Sequence, residues 1–585
     1  MVTGIMKLTP EQRASLEHQG NVVLEACPGS GKTRTIIAKL IRSIAQIRDT
    51  SRRIACITYT NAAVYEIENR IKEYGSIGDD EYCDVSTIHA FCLNNILRYH
   101  HWRLDTYKEG FTVLPSDSEE YKDLVLEIAK NHEISDFGRT MFDSLNRKPD
   151  GTPIVPSGIP ENAALEFWDI LESKGLIDFC NIIYLSYCIL RDNPSLVSNL
   201  ASRFKFILVD EFQDTSALQV EILNLIYNQD KSEFFLVGDP EQSIYSFAGA
   251  EPKLMQEFSE SIGATKFSLT GNFRSSTPVV NCAESLIPRD PAMFAAGRAK
   301  AFTEAPSYEN FENNFVAITE GFIPQVEELG IPFGETAILA PTWFELLNLA
   351  RELRHFPLPI VGPGARPYKK RHLFASLAEQ LCAYVEAPSP ESISPAEKEL
   401  FFLVQQITGK PNFRIFSYDG RKVLFKLFYE ALRLKKEIEG ARDWLLAASK
   451  NIANILIKEE LIPASASHLL RESTLDILDD MINNNIDLDN LTLNDLGMFA
   501  NSKDSIKMMT MHSSKGREFM AVAMISAIDG MTPYHNSYTP LTEDGLAEGR
   551  RLFYVSITRA KRLLMISTRE DWRGPSPYLS DIDLI

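Results

Sequence analysis

No apolar run in the 585-residue chain reaches the roughly 18 residues needed to cross a bilayer. The opening MVTGIMKLTPEQ lacks the basic segment and apolar core of an export signal. A cytoplasmic protein without membrane contact is the expectation. Cysteine is scarce: Cys27, Cys56, Cys83, Cys92, Cys180, Cys188, Cys282 and Cys382 are dispersed, form no CxxC pair and have no His beside them at ligand spacing. That excludes a zinc ribbon or an iron–sulfur cluster and leaves reduced, mostly buried thiols. Positive charge is short too, with 60 Lys plus Arg against 79 Asp plus Glu, a net charge of −19. The chain as a whole repels polyanions, so a nucleic-acid role needs a local basic groove. There is no low-complexity tract, no repeat of fixed period and no excess of Gly or Pro, at 30 each. With 44% hydrophobic and 24% charged residues, what remains is an ordinary globular composition. At about 100 to 200 residues per domain, the length predicts about three to five domains.

The apolar runs alternate with helical periodicity. NVVLEA (21–26) ends in CPGSGKT and a helical TRTIIAKLIRSIAQI, IACITY (54–59) precedes AAVYEIENRI, and FKFILVD (204–210) and FFLVGD (234–239) flank LQVEILNLI. Nearly continuous apolar runs of this length read as parallel strands covered on both faces. Between 91 and 202 the strands give way to helical periodicity, interrupted by the loop RKPDGTPIVPSGIP (147–160). A second α/β half begins after 276 with TAILAP (336–341) and PLPIVG (357–362). It breaks at the Pro/Ser-rich APSPESISPAE (387–397) into a second helical stretch, and resumes at IKMMT (506–510), AVAMIS (521–526) and LLMIS (563–567). The expected fold is α/β, with two interrupted α/β halves, each carrying a mostly helical insertion. The boundaries are 1–90 plus 203–275 for the first domain and 91–202 for its insertion, then 276–375 plus 496–585 for the second and 376–495 for its insertion. KKRH (369–372) is a basic cluster that reads as a solvated face.

Ala26, Cys27, Pro28, Gly29, Ser30, Gly31, Lys32 and Thr33 form a phosphate-binding loop between a strand and a helix. Its backbone N–H groups and the helix N-terminus cradle phosphates, Lys32 reaches the β and γ phosphates, and Thr33 holds Mg²⁺. Ala26 stands where the general pattern has its first Gly. Asp210 and Glu211 leave the end of another strand, where Asp210 would hold the metal and Glu211 would orient and deprotonate water; alone, such a pair is more often a helix N-cap, and its pairing with Lys32 and Thr33 reverses that reading. Gln242 lies just past a third strand end, close to the expected γ phosphate, with Tyr245 and Phe247 beyond it. The phosphate loop and the strand-end acids by themselves license only a nucleotide hydrolase.

The ordered blocks LTPEQ, ACPGSGKT, TYTNAA, STIHAF, DEFQDT, VGDPEQSIYSF, GNFRSS, TMHSSKGREF and YVSITRAK, spread nearly end to end, resemble the UvrD/Rep/PcrA-type superfamily 1 DNA helicases. The resemblance implies that Gln12 reads the adenine edge, that Arg34 and Phe273 flank the base and that Glu518 binds the ribose. It also implies that Arg274 and Arg559 come from the second RecA-like half, so that hydrolysis requires the halves to close around ATP. An arginine finger contributes a factor of about 10³ to 10⁵ in rate. For single-stranded DNA the resemblance implies Tyr59, Thr60, Asn61, Thr87, His89, Tyr245, Phe247 and His512. Core aromatics are the alternative for Tyr245 and Phe247, which alternate, and a hydrogen-bonded core imidazole is the alternative for either histidine.

The chain departs from the family pattern at IDFCNII (177–183), where paired acids are lost, and in its short insertions. The resemblance implies an ATP-dependent helicase moving 3′ to 5′ on single-stranded or tailed duplex DNA, in repair, recombination or phage defence. A compact chain of this kind is also similar to helicase-like subunits of phage-defence systems such as Gabija, which implies a separate nuclease subunit as partner. The competing reading is a DNA-sensing ATPase switch that regulates a partner without productive unwinding. A small-molecule kinase fits poorly, because it needs no second RecA-like half.

Overall fold

The computed structural model describes residues 7–156, 158–246, 249–535, 540–571 and 573–585. Two parallel six-stranded sheets organise it. The first contains β1 (Val22–Ala26), β2 (Arg53–Thr58), β3 (Cys83–Thr87), β4 (Phe204–Val209), β5 (Glu233–Gly238) and β6 (Thr265–Leu269), in the order β6-β1-β5-β4-β2-β3. The second contains β7 (Ser307–Phe311), β8 (Thr336–Ala340), β9 (Ile360–Val361), β10 (Ile506–Thr510), β11 (Phe519–Met524) and β12 (Ala560–Arg569), in the order β7-β12-β11-β8-β10-β9. Helices on both faces explain why the central strands are apolar throughout: Val23, Ala55, Ile207 and Leu236 face one core, and Leu24, Cys56, Leu208 and Val237 the other.

The chain divides into two compact units, Met1–Phe302 with Thr542–Val555, and Thr303–Leu541 with Ser556–Ile585. The first therefore reaches beyond the expected boundary at 275. The strand pair Gly271–Asn272 and Phe294–Ala295 joins that stretch to itself, and Phe273 N–H donates to the Gly29 carbonyl of the phosphate loop at 2.9 Å. Arg274 consequently belongs to the first unit and not to the second half, which corrects the assignment implied by the resemblance. The helix Glu543–Ile557 also starts in the first unit and runs into the second.

Within the first insertion, the helices Ile88–Cys92, Phe179–Asp192 and Pro194–Arg203 share the sheet's core, while Leu114, Phe142, Phe167, Trp168 and Leu176 build a core of their own. The separately packed part is thus narrower than 91–202. The expected loop at 147–160 carries one arm and the partner of a two-residue antiparallel pair, Asn146–Arg147 with Pro153–Ile154. Residues 368–496 of the second unit form one helical core around Trp444, Leu424 and Phe428. Within KKRH, Lys369, Lys370 and Arg371 are exposed, as a solvated face requires, and the partly buried His372 is held against Asp480, at 2.6 Å. Among the described residues no helix is long and apolar enough to cross a membrane, every cysteine is a free thiol, and no group of His, Cys, Asp and Glu is arranged to hold a metal ion by itself.

Candidate nucleotide and nucleic-acid site

Three strand ends of the first sheet converge on one place. β1 runs into the loop Cys27–Gly31, whose Cys27 N–H donates to Leu269 O at 3.0 Å and whose Ser30 Oγ donates to Cys27 O at 2.7 Å. Gly29 and Gly31 adopt φ of 68° and 85°, the left-handed region that folds the loop back on itself. The following helix, Lys32–Ile47, has no side-chain cap and no acid in its first turn. Its first amides are therefore left to an anion, as at other phosphate-binding helix ends. Burial pushes the Cys27 thiol up to about 12, against the pull of Arg289 and Lys32, so this loop residue is neutral at physiological pH.

Lys32 Nζ is the clearest mark of an anion site: it is buried, makes no hydrogen bond among the described residues and lies 3.9 Å from Glu211 Oε2. A buried ammonium without hydrogen bonds is costly unless a ligand supplies them. From β4, Asp210 N–H donates to Ile57 O at 2.8 Å, and the Asp210 carboxylate accepts from Glu211 N–H at 3.0 Å. Burial, with the neighbouring Glu211 charge, holds the Asp210 carboxyl well above the usual carboxylate range, the environment in which a bound cation is welcome. Glu211 has φ 52° and ψ 43°, a left-handed conformation rare outside glycine and asparagine. That strain turns its carboxylate back toward Lys32 and Gln213, which donates to Glu211 Oε2 at 2.5 Å.

The base-reading residues are held in the same way. Gln12 sits in the capping box of Pro10–Glu17, accepting from Thr9 N–H at 3.0 Å and donating from Nε2 to Ser30 O at 3.0 Å, so its amide is oriented beside the phosphate loop. Arg34 and Phe273 are exposed. Asn272 Oδ1 accepts from Arg274 N–H and Ser275 N–H at 2.8 and 2.9 Å, fixing the turn that presents Arg274. Gln242, after β5, donates to Asp239 Oδ2 at 2.5 Å.

Beyond β2, Tyr59 and Tyr245 stack with ring centroids 5.1 Å apart and planes 15° apart. Phe247 lies outside the described residues. Thr60 and Thr87 each cap a helix, accepting from Ala63 N–H at 3.2 Å and Ala90 N–H at 3.3 Å, and Asn61 opens the first of these helices in solvent. His89 lies edge-on to Phe179 at 6.1 Å, and burial lowers its imidazole to about 4. Phe179, 52% exposed, went unnoticed in the sequence because it sits inside the degraded IDFCNII block. Asp178 beside it is now explained: it caps the helix Phe179–Asp192 by accepting from Asn181 N–H at 3.2 Å, and burial raises its carboxyl to about 6.

On the second unit, Arg559 is fully buried and donates to Arg517 O at 3.1 Å and to Thr558 Oγ1 at 3.0 Å. Glu518 pairs with Lys561 at 2.8 Å, and His512 opens the short turn His512–Ser514 after β10.

A phosphate loop facing strand-end carboxylates, and a second parallel sheet carrying a buried arginine at a strand start, define a P-loop NTPase of two RecA-like domains. Residues 8–150 and 158–263 match the UvrD/REP helicase N-terminal domain, and residues 433–571 match the UvrD-like helicase C-terminal domain. The chain belongs to the UvrD/Rep-type superfamily 1 helicases. It is 25% identical to the ATP-dependent DNA helicase Rep of Escherichia coli, over 97% of this chain and 92% of that one. It is 26% identical to DNA helicase II of Haemophilus influenzae (95% and 82%) and 24% identical to ATP-dependent DNA helicase UvrD1 of Mycobacterium tuberculosis (97% and 83%).

Proposed function

We propose that this protein is an ATP-dependent DNA helicase that moves 3′ to 5′ along single-stranded DNA. The observation that carries the reading is the buried Lys32 ammonium without hydrogen bonds, at the uncapped start of the helix that follows the phosphate loop. A nucleotide's phosphates satisfy both. Thr33 and Asp210 would hold Mg²⁺, which screens the phosphate charge when bound. Glu211 orients and accepts the proton of the attacking water, Gln242 contacts the γ phosphate, and Gln12, Arg34, Phe273 and Glu518 hold the nucleoside. Arg274 and Arg559 neutralise charge developing on the transferred phosphoryl group.

For the strand, the stacked Tyr59 and Tyr245, with His89 and Phe179 nearby, offer apolar faces to any base, and the helix starts at Thr60 and Thr87 suit phosphates. Asn61, Phe247 and His512 complete the contacts. Base stacking contributes about 1–3 kcal/mol per base whatever the sequence. That suits a motor on a chain of charge −19, which cannot rely on bulk electrostatic attraction. The setting is DNA repair, recombination or phage defence, the last beside a separate nuclease.

The test is ATP hydrolysis with and without single-stranded DNA. Stimulation by DNA that is lost in Arg559→Ala supports the reading, and turnover indifferent to DNA overturns it.

A further inference from the structure

Behind the residues so far assigned runs a chain of buried side chains that no step described above uses. Gln213 is fully buried, with its amide spanning two strand ends: Nε2 donates to Glu211 Oε2 at 2.5 Å, and Oε1 accepts from Asp239 N–H at 2.9 Å. The Asp239 carboxylate, also fully buried, accepts from Gln242 Nε2 through one oxygen and from Arg289 Nη2 through the other. Arg289 Nε then donates to the hydroxyl of Tyr554 at 2.9 Å, with its guanidinium 5.4 Å from that ring. Tyr554 stands on the helix Glu543–Ile557, whose Arg551 also donates to Ser243 O at 2.7 Å.

Every one of these partners lies in the first unit. The helix, however, runs on to Ile557 in the second unit, and Arg559 follows two residues after its end. The relay thus begins at the water-activating carboxylate, passes the γ-phosphate sensor and ends on the segment that carries the buried arginine.

The relay is chemically specific. A buried carboxylate persists only when paired, and here burial is outweighed by Arg289 and Lys32, which hold Asp239 below its ordinary value. Close packing leaves it no alternative route: a Cβ on Gly238 would come within 2.6 Å of Gln213 Oε1. An amide that donates at one end and accepts at the other cannot reverse without breaking both bonds.

We propose that Arg289 is a positioning residue that links Glu211 and Gln242 to the helix leading into Arg559, so that the sensor loop and the arginine segment change state together. This rests on the reading of the site as an ATPase.

The experiment uses the full chain and reads kcat and KM for ATP on single-stranded DNA, binding of a fluorescent ATP analogue, and melting temperature. Its variants are Tyr554→Phe, Arg289→Lys and their combination. Tyr554→Phe removes only the acceptor of the Arg289 Nε bond, and Arg289→Lys keeps a cation for Asp239. Each is expected to lower kcat roughly tenfold with KM and analogue affinity within about twofold, and the pair to be no slower than the worse single variant, because both break the same link. Additive losses, or a Tyr554→Phe kcat within about twofold of the parent, overturn the inference while the parent's ATPase stands. A shared fall in kcat that merely follows melting temperature also overturns it. A parent without ATP hydrolysis overturns the functional reading itself.

Discussion

Gly29 of the phosphate loop lies against Arg274: a Cβ built on the glycine would stand 2.6 Å from the arginine's Cβ and 2.6 Å from Asn272 Oδ1. The phosphate loop and the GNFRSS turn are therefore one packed unit within the first domain. An arginine expected to arrive from the other half is already beside the loop before any closure. Gly29→Ala meets both this contact and a φ of 68°, so it should lower stability by about 1–3 kcal/mol and ATP affinity at least tenfold. Thermal melting and nucleotide titration check it; Gly20→Ala, at φ 90° with open space around it, is the control for backbone strain alone.

Lys32→Ala removes the cation that lies 3.9 Å from Glu211 Oε2 at the start of the helix after the loop. ATP turnover should fall to less than about 1% of the parent, while affinity for a labelled single strand stays within about threefold, since the aromatic platform is elsewhere. Parent-level ATPase in this variant contradicts the site assignment.

Tyr245→Ala and Phe179→Ala should each weaken single-strand binding by about 1–3 kcal/mol, measured by fluorescence anisotropy at fixed salt. Tyr245 carries a face of the Tyr59 stack, and Phe179 the exposed ring beside His89. Unchanged binding in Phe179→Ala assigns that ring to packing alone.

The buried His89 titrates near 4 in the folded chain against 6.5 for the ordinary group. A depressed value means that the unfolded state binds the proton more readily. The stability held by the neutral imidazole is fully present above pH 6.5 and is lost as pH falls toward about 4. Melting temperature should therefore decline across that window less steeply in His89→Gln than in the parent. An identical decline removes His89 as a cause. At pH 7 the side chain is uncharged, so the proposed contact with DNA would be stacking or hydrogen bonding and not an ion pair.

The central strands were legible because both their faces are buried: Val22–Ala26, Phe204–Val209, Glu233–Gly238 and Ile506–Thr510 carry apolar runs along nearly their full length. The strands of the two six-stranded sheets that escaped notice, Cys83–Thr87, Thr265–Leu269 and Ser307–Phe311, are all sheet edges, where CDVST, TKFSL and SYENF face partly to solvent and lose the apolar signal. Residues of the phosphate loop and the strand-end acids stood out because each is tied to a local strand–loop–helix context. Gln213, Asp239, Arg289 and Tyr554 did not, since the relay joins positions far apart in sequence and each residue alone is an ordinary polar side chain. The strand pair at Gly271–Asn272 likewise fixes the unit boundary through a contact that no local pattern announces.

Directional movement on DNA driven by ATP is read by a strand-displacement time course with Mg²⁺ and ATP on duplexes bearing a 3′ tail, a 5′ tail or blunt ends, with DNA-stimulated hydrolysis followed in the same samples. Displacement of the 3′-tailed duplex alone, accompanied by stimulated hydrolysis, is the predicted result. Displacement of the 5′-tailed duplex, or stimulated hydrolysis that displaces no strand, would contradict it, and the second outcome would mark the protein as a DNA-sensing switch.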